Sequence, residues 1–412
     1  MNSRRRFLQQ SLGSSALVSA GMTAPNFLLG AAQAAAGSKR SGENILVVVQ
    51  LSGGNDGLNT VIPFRDPLYA KNRVVLRLAT SQVLKINGDV GLHPQMTGFE
   101  ALLKRRQLVV VQGVGYPNPN RSHFRSMDIW HSAQPASESP RDGWLGRSVD
   151  AWTEMRRELR DAPALHLGGQ QLPLALASRG TAVPSVENVE QFRFRTDGGA
   201  VPLDSLRTLS ESSRPDSGGL LDFVRRSTLG AYVSSEQVRQ AVSTPSTGAS
   251  YPPFALARKL QTIGQLIDAG LSTQIYYVSL NGFDTHSNQL AAHGTLLSEF
   301  AGAIDAFMKD MQQRGHADRV IVLGFSEFGR RVQENASQGT DHGTAGPVFL
   351  AGGKVKSGVI GDHPRLDDLD SEGDVKFHTD FRRIYASLLD RWLACDSNKV
   401  LGAKFEPLDL FV

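Results

Sequence analysis

Four short apolar segments constrain the fold of this chain more than any other feature of its sequence. They are rich in Val, Ile and Leu, lie far apart, and are apolar at both odd and even positions. A strand with two apolar faces is typical of a parallel sheet that helices cover on both sides, because a strand with one solvated face alternates apolar and polar residues. The segments are residues 45–51, 108–114, 273–280 and 319–325.

Helical patterns lie between and after these strands. Within each pattern, apolar residues recur every three or four positions, as the buried side of a helix requires. Strands that alternate with helices predict an α/β fold with a doubly wound, mostly parallel sheet flanked by helices. The predicted helices span residues 95–105, 122–131, 145–157, 254–269, 289–314 and 380–394.

The segment 196–251 differs from the rest of the chain in composition. Ser, Gly and Pro are frequent there, around one helical piece at residues 220–242. We interpret this segment as an insertion or a cap over the rim of the sheet, within a single α/β domain at residues 37–412.

The N-terminus has the three parts of an export signal. Arg4, Arg5 and Arg6 precede Phe-Leu, a weakly apolar stretch follows, and an Ala-x-Ala site ends at Ala34. These parts predict a twin-arginine signal peptide at residues 1–36. The stretch is too polar for a comfortable membrane span, and no later apolar run is long enough to cross a bilayer. The expected partner is therefore the twin-arginine translocation machinery, and the expected location is the periplasm or the extracellular space.

The charge balance gives no support to nucleic-acid binding. The chain has 44 basic and 40 acidic side chains, a formal net charge of +4. Three of the basic residues, Arg4, Arg5 and Arg6, belong to the predicted signal, so the exported part is nearly neutral. The single cysteine, Cys395, cannot form an intramolecular disulfide, and we predict a chain that does not rely on disulfides.

Carboxylates and imidazoles gather where the predicted strands end. In an open α/β sheet, ligands bind outside the carboxyl ends of the strands, so distant segments can deliver side chains to one rim. Carboxylate and imidazole together suit zinc, manganese, iron or magnesium without selecting among them, with calcium less favoured. We expect one divalent metal ion or two, since two ions can clamp both oxygens of an in-line displacement. The candidate ligands are Asp56, Asp284, His286, Glu327, Asp341 and His342.

These residues also have ordinary structural explanations. Asp56 lies in Gly-Asn-Asp-Gly, a sequence typical of a turn. His378, just before the last predicted helix, is a further candidate ligand, and the alternative is an exposed polar residue next to an N-cap at Thr379. His293 is a reserve candidate because it lies seven residues after His286.

A candidate nucleophile follows the second strand. Ser122 stands where a Pro- and Asn-rich loop enters a helix, and the free N–H groups and dipole of a helix N-terminus favour an anion. A serine at this position is also an ordinary helix N-cap. As a nucleophile it needs an adjacent metal to lower the pKa of its hydroxyl. Arg121, His123 and Arg125 are then placed to hold the oxygens of a phosphate or sulfate.

Together these motifs resemble a known family. They comprise the twin-arginine start and residues 53–59, 121–124, 282–286, 326–330 and 341–343, and the resemblance extends over essentially the whole chain. The chain resembles the domain of unknown function 1501, which is similar in fold to the alkaline phosphatase and sulfatase superfamily. The resemblance implies an alkaline phosphatase-like sheet with a two-metal site. The roles it implies fall on Asp56, Ser122, Asp284 with His286, and Asp341 with His342.

Three functions are open at this point. The first is an exported, metal-dependent hydrolase of phosphate or sulfate esters that uses Ser122. The second is a non-catalytic periplasmic module that keeps the fold and binds a glycan or a protein partner. The third is a metal-free serine esterase, for which the Gly-x-Ser-x-Gly elbow is absent, because Phe328 replaces the second glycine after Ser326. Retained metal and turnover that depends on Ser122 separate the first function from the other two.

Overall fold

The computed structural model describes residues 43–135, 140–154, 162–169, 171–181, 183–186 and 248–412. The predicted signal peptide at residues 1–36 lies outside these residues, and so does the segment 196–251 except for its last four residues. The strands are β1 (Ile45–Ser52), β2 (Val61–Ile62), β3 (Leu84–Lys85), β4 (Gly91–Leu92), β5 (Leu108–Gly115), β6 (Ala164–Leu167), β7 (Ser185–Val186), β8 (Ile275–Asn281), β9 (Val320–Ser326), β10 (Gly346–Gly352), β11 (Gly358–Ile360) and β12 (Thr379–Asp380).

The six predicted helices are present, with ends that differ by a few residues, although residues 155–157 of the third lie outside the described residues. Three short helices, Gly57–Thr60, Pro67–Asn72 and Ser397–Leu401, were not predicted. A π-helical turn, Leu388–Trp392, continues the eighth helix. The helices are α1 (Gly57–Thr60), α2 (Pro67–Asn72), α3 (Thr97–Lys104), α4 (His123–Ser132), α5 (Trp144–Glu154), α6 (Ala255–Asp268), α7 (Gln289–Gln313), α8 (Phe381–Ser387) and α9 (Ser397–Leu401).

Nine strands of the described chain form one sheet, in the order β11-β5-β10-β9-β1-β8-β6-β7, with β12 beside β5. β1 pairs in parallel with β8 and β9, and β8 pairs in parallel with β6. β10 runs antiparallel to both of its neighbours, β9 and β5, so β5 again runs in the direction of β1. The mostly parallel α/β sheet predicted from the sequence is confirmed, and the sequence pattern did not predict five of its strands, β6, β7, β10, β11 and β12.

The two faces of the sheet have separate cores because the strands are apolar on both sides. Along β1, Val47 and Val49 pack with residues of α3, α6 and α7. Leu46 and Val48 pack with residues of α4, α5 and α8 on the other face. Each of these four side chains is at most 1% exposed. Helices on both faces make the sheet doubly wound, so the strand ends are its accessible part.

One edge of the sheet collects the loops that carry polar residues. β1, β5, β8 and β9 end at this edge, and antiparallel β10 begins there. The register places Ser52 of β1 beside Asn281 of β8, and Leu51 beside Ser326 of β9. The loops after these strands and the segment before β10 therefore lie side by side, although they are far apart in sequence.

A smaller sheet in the order β2-β4-β3 follows the loop after β1. Across the described ranges, no helix has the length and apolar character that a membrane crossing needs.

Candidate metal centre

Four side chains with metal-binding atoms meet at this edge: His123, Asp284, His286 and His342. His123 begins α4, Asp284 and His286 follow β8, and His342 precedes β10. The ligand atoms of His123, Asp284 and His342 lie within 4.8 Å of one another. His286 joins them through Nε2, which is 2.9 Å from Nε2 of His342 and 2.9 Å from Oδ1 of Asp284. We call these four residues the candidate centre.

The ring of His342 is oriented by the loop before α4. Its Nδ1 lies 2.8 Å from the carbonyl oxygen of Arg121. A carbonyl oxygen only accepts, so Nδ1 carries the hydrogen. A short antiparallel bridge to Arg330 fixes the backbone of His342. In neutral His342, Nε2 therefore keeps its lone pair, and it lies 3.1 Å from Oδ1 of Asp284.

The ring of His123 is oriented by Glu327. Oε1 of this buried carboxylate accepts from Nδ1 of His123 at 2.9 Å and from the backbone N–H of Gly53 at 2.8 Å. Its Oε2 accepts from the hydroxyl of Ser326 at 2.9 Å. The structure thus places Glu327, a ligand candidate from the sequence, behind His123 and not among the converging atoms.

The ring of His286 is oriented by Asp341. Oδ1 of Asp341 accepts from Nδ1 of His286 at 3.0 Å and from Nδ2 of Asn335 at 3.2 Å. Asn335 Nδ2 also donates to the carbonyl oxygen of His286 at 3.0 Å. Asp341, another ligand candidate from the sequence, therefore lies behind His286 as Glu327 lies behind His123.

In their neutral forms, the three imidazoles therefore present bare Nε2 atoms to one carboxylate. Each Nδ1 is hydrogen-bonded to an oxygen that only accepts, so each neutral ring has its lone pair on Nε2. Nε2 of His123 lies 3.5 Å from Oδ2 of Asp284 and is buried without a hydrogen-bond partner among the described residues. Imidazoles whose second nitrogen is hydrogen-bonded to a carboxylate or carbonyl are the usual surroundings of a bound metal. The donor set therefore fits a divalent cation.

Asp284 stays ionised because of its neighbours. Nη2 of Arg330 donates to Oδ1 of Asp284 at 2.6 Å. Burial opposes ionisation, but the hydrogen bond and the charge of Arg330 outweigh it and lower the pKa of Asp284 to about 2. The side chain of Asp284 remains 47% exposed, so it is both charged and accessible.

The imidazoles differ in their protonation. Burial lowers the pKa of His342, although its bonds to the Arg121 carbonyl and to Asp284 oppose the shift. The hydrogen bond to Glu327 raises the pKa of His123, against the effect of burial. The lowered pKa favours the neutral form of His342, which is the form that binds a metal. His123 holds its proton more tightly and must release it when a metal binds.

Ser122 and Arg121 lie next to the candidate centre in different environments. Ser122 is exposed and is the N-cap residue of α4, yet its side chain makes no capping hydrogen bond. The guanidinium of Arg121 pairs with the buried carboxylate of Asp374 and lies 3.6 Å from Glu372. A phosphate or sulfate that used Arg121 would have to compete with Asp374, so the geometry gives more support to Ser122 than to Arg121.

Asp56 lies outside the candidate centre, in a buried ion pair. Both of its oxygens accept from the guanidinium of Arg73, at 2.5 and 3.0 Å. Burial opposes ionisation, but the adjacent Arg73 charge outweighs it and lowers the pKa of Asp56. Asp56 also caps α1 through the N–H of Asn59. Of the two explanations for Asp56, the structure favours the local structural one.

The remaining histidine candidates also lie apart from the centre. His378 is exposed, with Nε2 2.8 Å from the carbonyl oxygen of Asp362 and Nδ1 3.1 Å from the hydroxyl of Thr379. His293 is buried, and its Nε2 lies 2.9 Å from Oδ1 of Asn55. Neither is within the group of converging ligand atoms.

Two residues at the site were not assigned these roles from the sequence. Arg330 is fully buried beneath Asp284, and Asn335 links Asp341 to the backbone of His286. Of these two residues, only Arg330 lies in a sequence motif that points to the site, since it follows the Ser-Glu-Phe-Gly segment at the end of β9. The sequence pattern alone gave no reason to expect this charge to be buried.

Comparison with known proteins identifies the family. A family model with the description "Protein of unknown function (DUF1501)" matches residues 44–403, and the chain belongs to this family, as the sequence resemblance predicts. No curated protein matches the chain.

Several solved structures are similar in fold. The C-terminal periplasmic domain of EcEptC from Escherichia coli, in complex with Zn, has 10% identity and a TM-score of 0.36, over 76% of this chain and 75% of that one. The PsFucS1 sulfatase from Pseudoalteromonas sp. has 11% identity and a TM-score of 0.39, over 92% and 74%. A protein in the alkaline phosphatase superfamily from Vibrio parahaemolyticus has 8% identity and a TM-score of 0.32, over 84% and 65%. At such low similarity, these structures say nothing about the ligand or reaction of this chain.

Proposed function

We propose that this protein is an exported hydrolase of phosphate or sulfate esters that binds a divalent metal through His123, Asp284, His286 and His342. One observation carries the metal site: the Nε2 atoms of three imidazoles converge on the carboxylate of Asp284. Each of the three rings has its Nδ1 hydrogen bonded to a separate acceptor. Side chains arranged in this way are prepared for a cation before it arrives, which is the basis of tight metal binding.

The residues around the ion have distinct roles in the proposed reaction. A bound ion supplies a Lewis acid that polarises an ester oxygen and favours the ionised form of a nearby hydroxyl. Glu327 and Asp341 hold the rings of His123 and His286 with Nε2 toward the ion. Ser122, next to His123 and exposed at the N-terminus of α4, is our candidate nucleophile.

The donor set favours a transition metal over magnesium or calcium. Three imidazoles and one carboxylate suit zinc, manganese or iron, whereas magnesium and calcium prefer oxygen ligands. We therefore propose zinc, manganese or iron as the resident ion.

Export by the twin-arginine pathway is part of the proposal and has its own test. Arg5→Lys leaves the net charge unchanged but removes every adjacent arginine pair from residues 4–6. We expect this variant to accumulate in the cytoplasm with its signal attached, whereas Arg6→Lys, which keeps one pair, is exported. Equal export of the two variants, measured by cell fractionation, would contradict the proposal.

Metal analysis tests the site. The protein is purified without chelators and without nickel affinity, and its metal content is measured by mass spectrometry of the elements. We expect bound metal in the wild type and in His378→Ala, and its loss in His342→Ala. His378→Ala is a matched control because it removes an exposed imidazole outside the centre. Metal that His342→Ala retains in full would exclude this site.

Turnover tests the reaction. Metal-loaded protein is assayed with 4-nitrophenyl phosphate and 4-nitrophenyl sulfate. If Ser122 is the nucleophile, Ser122→Ala loses about 10³-fold or more in kcat while its metal content stays unchanged. Metal retention without turnover of any ester in a broader panel would instead favour the module that binds a glycan or a partner.

A further inference from the structure

Two carboxylates at this edge are each paired with a buried arginine. Asp56 follows β1 and Asp284 follows β8, which are neighbouring parallel strands. Arg73 pairs with Asp56, and Arg330 pairs with Asp284. The side chains of both arginines are 0% exposed. These internal cations bear on how many metal ions the edge can hold.

Asp56 has no acceptor site left for a metal. A carboxylate offers about four lone-pair positions. Asp56 receives four donors: Nη1 and Nη2 of Arg73, Nε2 of Gln289 and the backbone N–H of Asn59. A metal could bind Asp56 only after displacing a buried guanidinium, and that would leave the Arg73 charge uncompensated.

The Arg73 guanidinium is itself held from a second side. Nε donates to the carbonyl oxygen of Val332 at 2.7 Å, and Nη2 donates to the carbonyl oxygen of Arg331 at 2.8 Å. These bonds tie the loop that carries Asp56 to the segment after β9. Displacement of Arg73 would therefore break backbone contacts as well as the ion pair.

Arg330 places a fixed positive charge against Asp284. Its guanidinium donates to the carbonyl oxygens of Gly53, Gly54, Phe283 and Thr340 as well as to Oδ1 of Asp284. Positive φ angles of 120° at Gly53 and 77° at Gly54 shape this loop, and a Cβ at Gly54 would lie 2.4 Å from the Phe328 ring. A second divalent cation on this side of Asp284 would meet the charge of Arg330.

From this geometry we infer that the edge binds a single ion, with Arg73 and Arg330 as internal cations at Asp56 and Asp284, two of the carboxylates that a two-ion site would use. The inference rests on the proposed metal centre and departs from the two-ion arrangement implied by the family resemblance. Asp56 is then a structural residue, and Arg330 is a positioning residue that acts through Asp284.

Native mass spectrometry after loading with Zn²⁺ counts the ions. The number specific to the centre is the number bound by the wild type minus that bound by an Asp284→Asn/His342→Ala double variant, which corrects for ions held elsewhere. We expect a difference of one. A difference of two would overturn the single-ion inference, and a difference of zero would overturn the proposed metal centre itself, so the two failures are distinguishable.

Asp56→Asn supplies the matched test, because asparagine keeps the shape and one acceptor oxygen. We expect this variant to bind one ion with an affinity within about twofold of the wild type. Loss of the ion from a variant with an unchanged circular dichroism spectrum would overturn the inference. Electron paramagnetic resonance of the Mn²⁺-loaded wild type gives an independent readout. One ion gives an uncoupled six-line spectrum, whereas two ions about 4 Å apart give a spin-coupled spectrum, which would overturn the inference.

Discussion

Asp56 and Asp284 show how the same sequence signal leads to two kinds of site. Both are aspartates in glycine-containing loops after neighbouring strands of one parallel sheet. Asp56 is enclosed with Arg73, and neither side chain is exposed. Asp284 has its own arginine but also faces three imidazoles, and nearly half of its side chain is accessible. The polar partners that the fold delivers, and not the carboxylate itself, decide which aspartate is available to a ligand.

The two aspartates also differ in what their partners leave unsatisfied. Around Asp56, donors match acceptors, and the pair is closed. Around Asp284, bare imidazole nitrogens add to the acceptors. An ion pair whose donors and acceptors are all matched offers no ligand atom to a metal, but breaking it destabilises the fold. An excess of acceptor atoms favours the binding of a cation. Substitutions at the two aspartates and their partners should therefore affect different properties.

The largest expected effect is on metal affinity at Asp284. Asp284→Asn keeps an oxygen for Arg330 but removes the negative charge that faces the three imidazoles. We expect metal affinity to fall by more than the 10–100-fold typical of losing an outer-shell partner, measured by competition with a chelator. The urea midpoint of the metal-free protein should fall less than it does for Arg73→Met, because Asp284 is 47% exposed and Arg330 keeps its four carbonyl acceptors. A fall as large as that of Arg73→Met would show that Asp284 is structural like Asp56.

The second effect is on stability at Arg73. Arg73→Met leaves the buried Asp56 charge without its partner, which typically costs about 3–5 kcal/mol. We expect a reduced free energy of unfolding in urea for metal-free protein. A companion variant, Arg73→Met/Asp56→Leu, removes both charges and should recover much of the loss. A cost below about 1 kcal/mol for Arg73→Met would contradict the closed ion pair.

The third effect sharpens the role of Glu327. Glu327→Gln keeps the side-chain shape but removes the carboxylate that accepts from Nδ1 of His123. We expect a 10–100-fold loss of metal affinity, smaller than that of Asp284→Asn, because the substitution acts through the imidazole. Titration with a chelator measures it. A loss as large as that of Asp284→Asn would place Glu327 among the ligands, as the sequence suggested.

The smallest effect concerns a buried histidine away from both aspartates. Burial lowers the pKa of His131 to about 3, and its Nε2 lies 2.9 Å from Oε1 of Gln50. With an unfolded pKa of about 6.5, the unfolded chain binds more protons below that pH, so stability is full above pH 6.5 and falls as the pH drops toward 3. His131→Gln should reduce the loss of unfolding free energy between pH 7 and 5 by about 2 kcal/mol. An unchanged loss would contradict a neutral, buried His131.

The sheet could be predicted from the sequence because its strands are apolar on both faces. This pattern in residues 45–51 and 319–325 was enough for β1 and β9. β10 escaped prediction because its apolar run, Val-Phe-Leu-Ala, is only four residues long and lies between Gly-Pro and Gly-Gly. Its antiparallel direction depends on pairing with β9 and β5, which no local pattern encodes.

The candidate centre could be predicted only in part. Asp284, His286 and His342 were ligand candidates because they sit in strand-end or turn motifs, and the structure brings them together. The separation of Asp56 from them depends on Arg73, which follows α2 and has no sequence feature that marks it as a partner. Likewise, the pairing of Glu327 with His123 joins residues 204 positions apart, so a single sequence could not show which side chain faces the ligand.

X-ray absorption spectroscopy of the zinc-loaded protein identifies the atoms that bind the ion. We expect a first shell of nitrogen and oxygen at about 2.0–2.2 Å, made of the four protein ligands and one further oxygen at the position open to an ester. Outer-shell scattering should come from three imidazoles, one of which is lost in His286→Ala. A first shell with fewer than two imidazoles, or a spectrum that His286→Ala leaves unchanged, would contradict a metal centre built from His123, Asp284, His286 and His342.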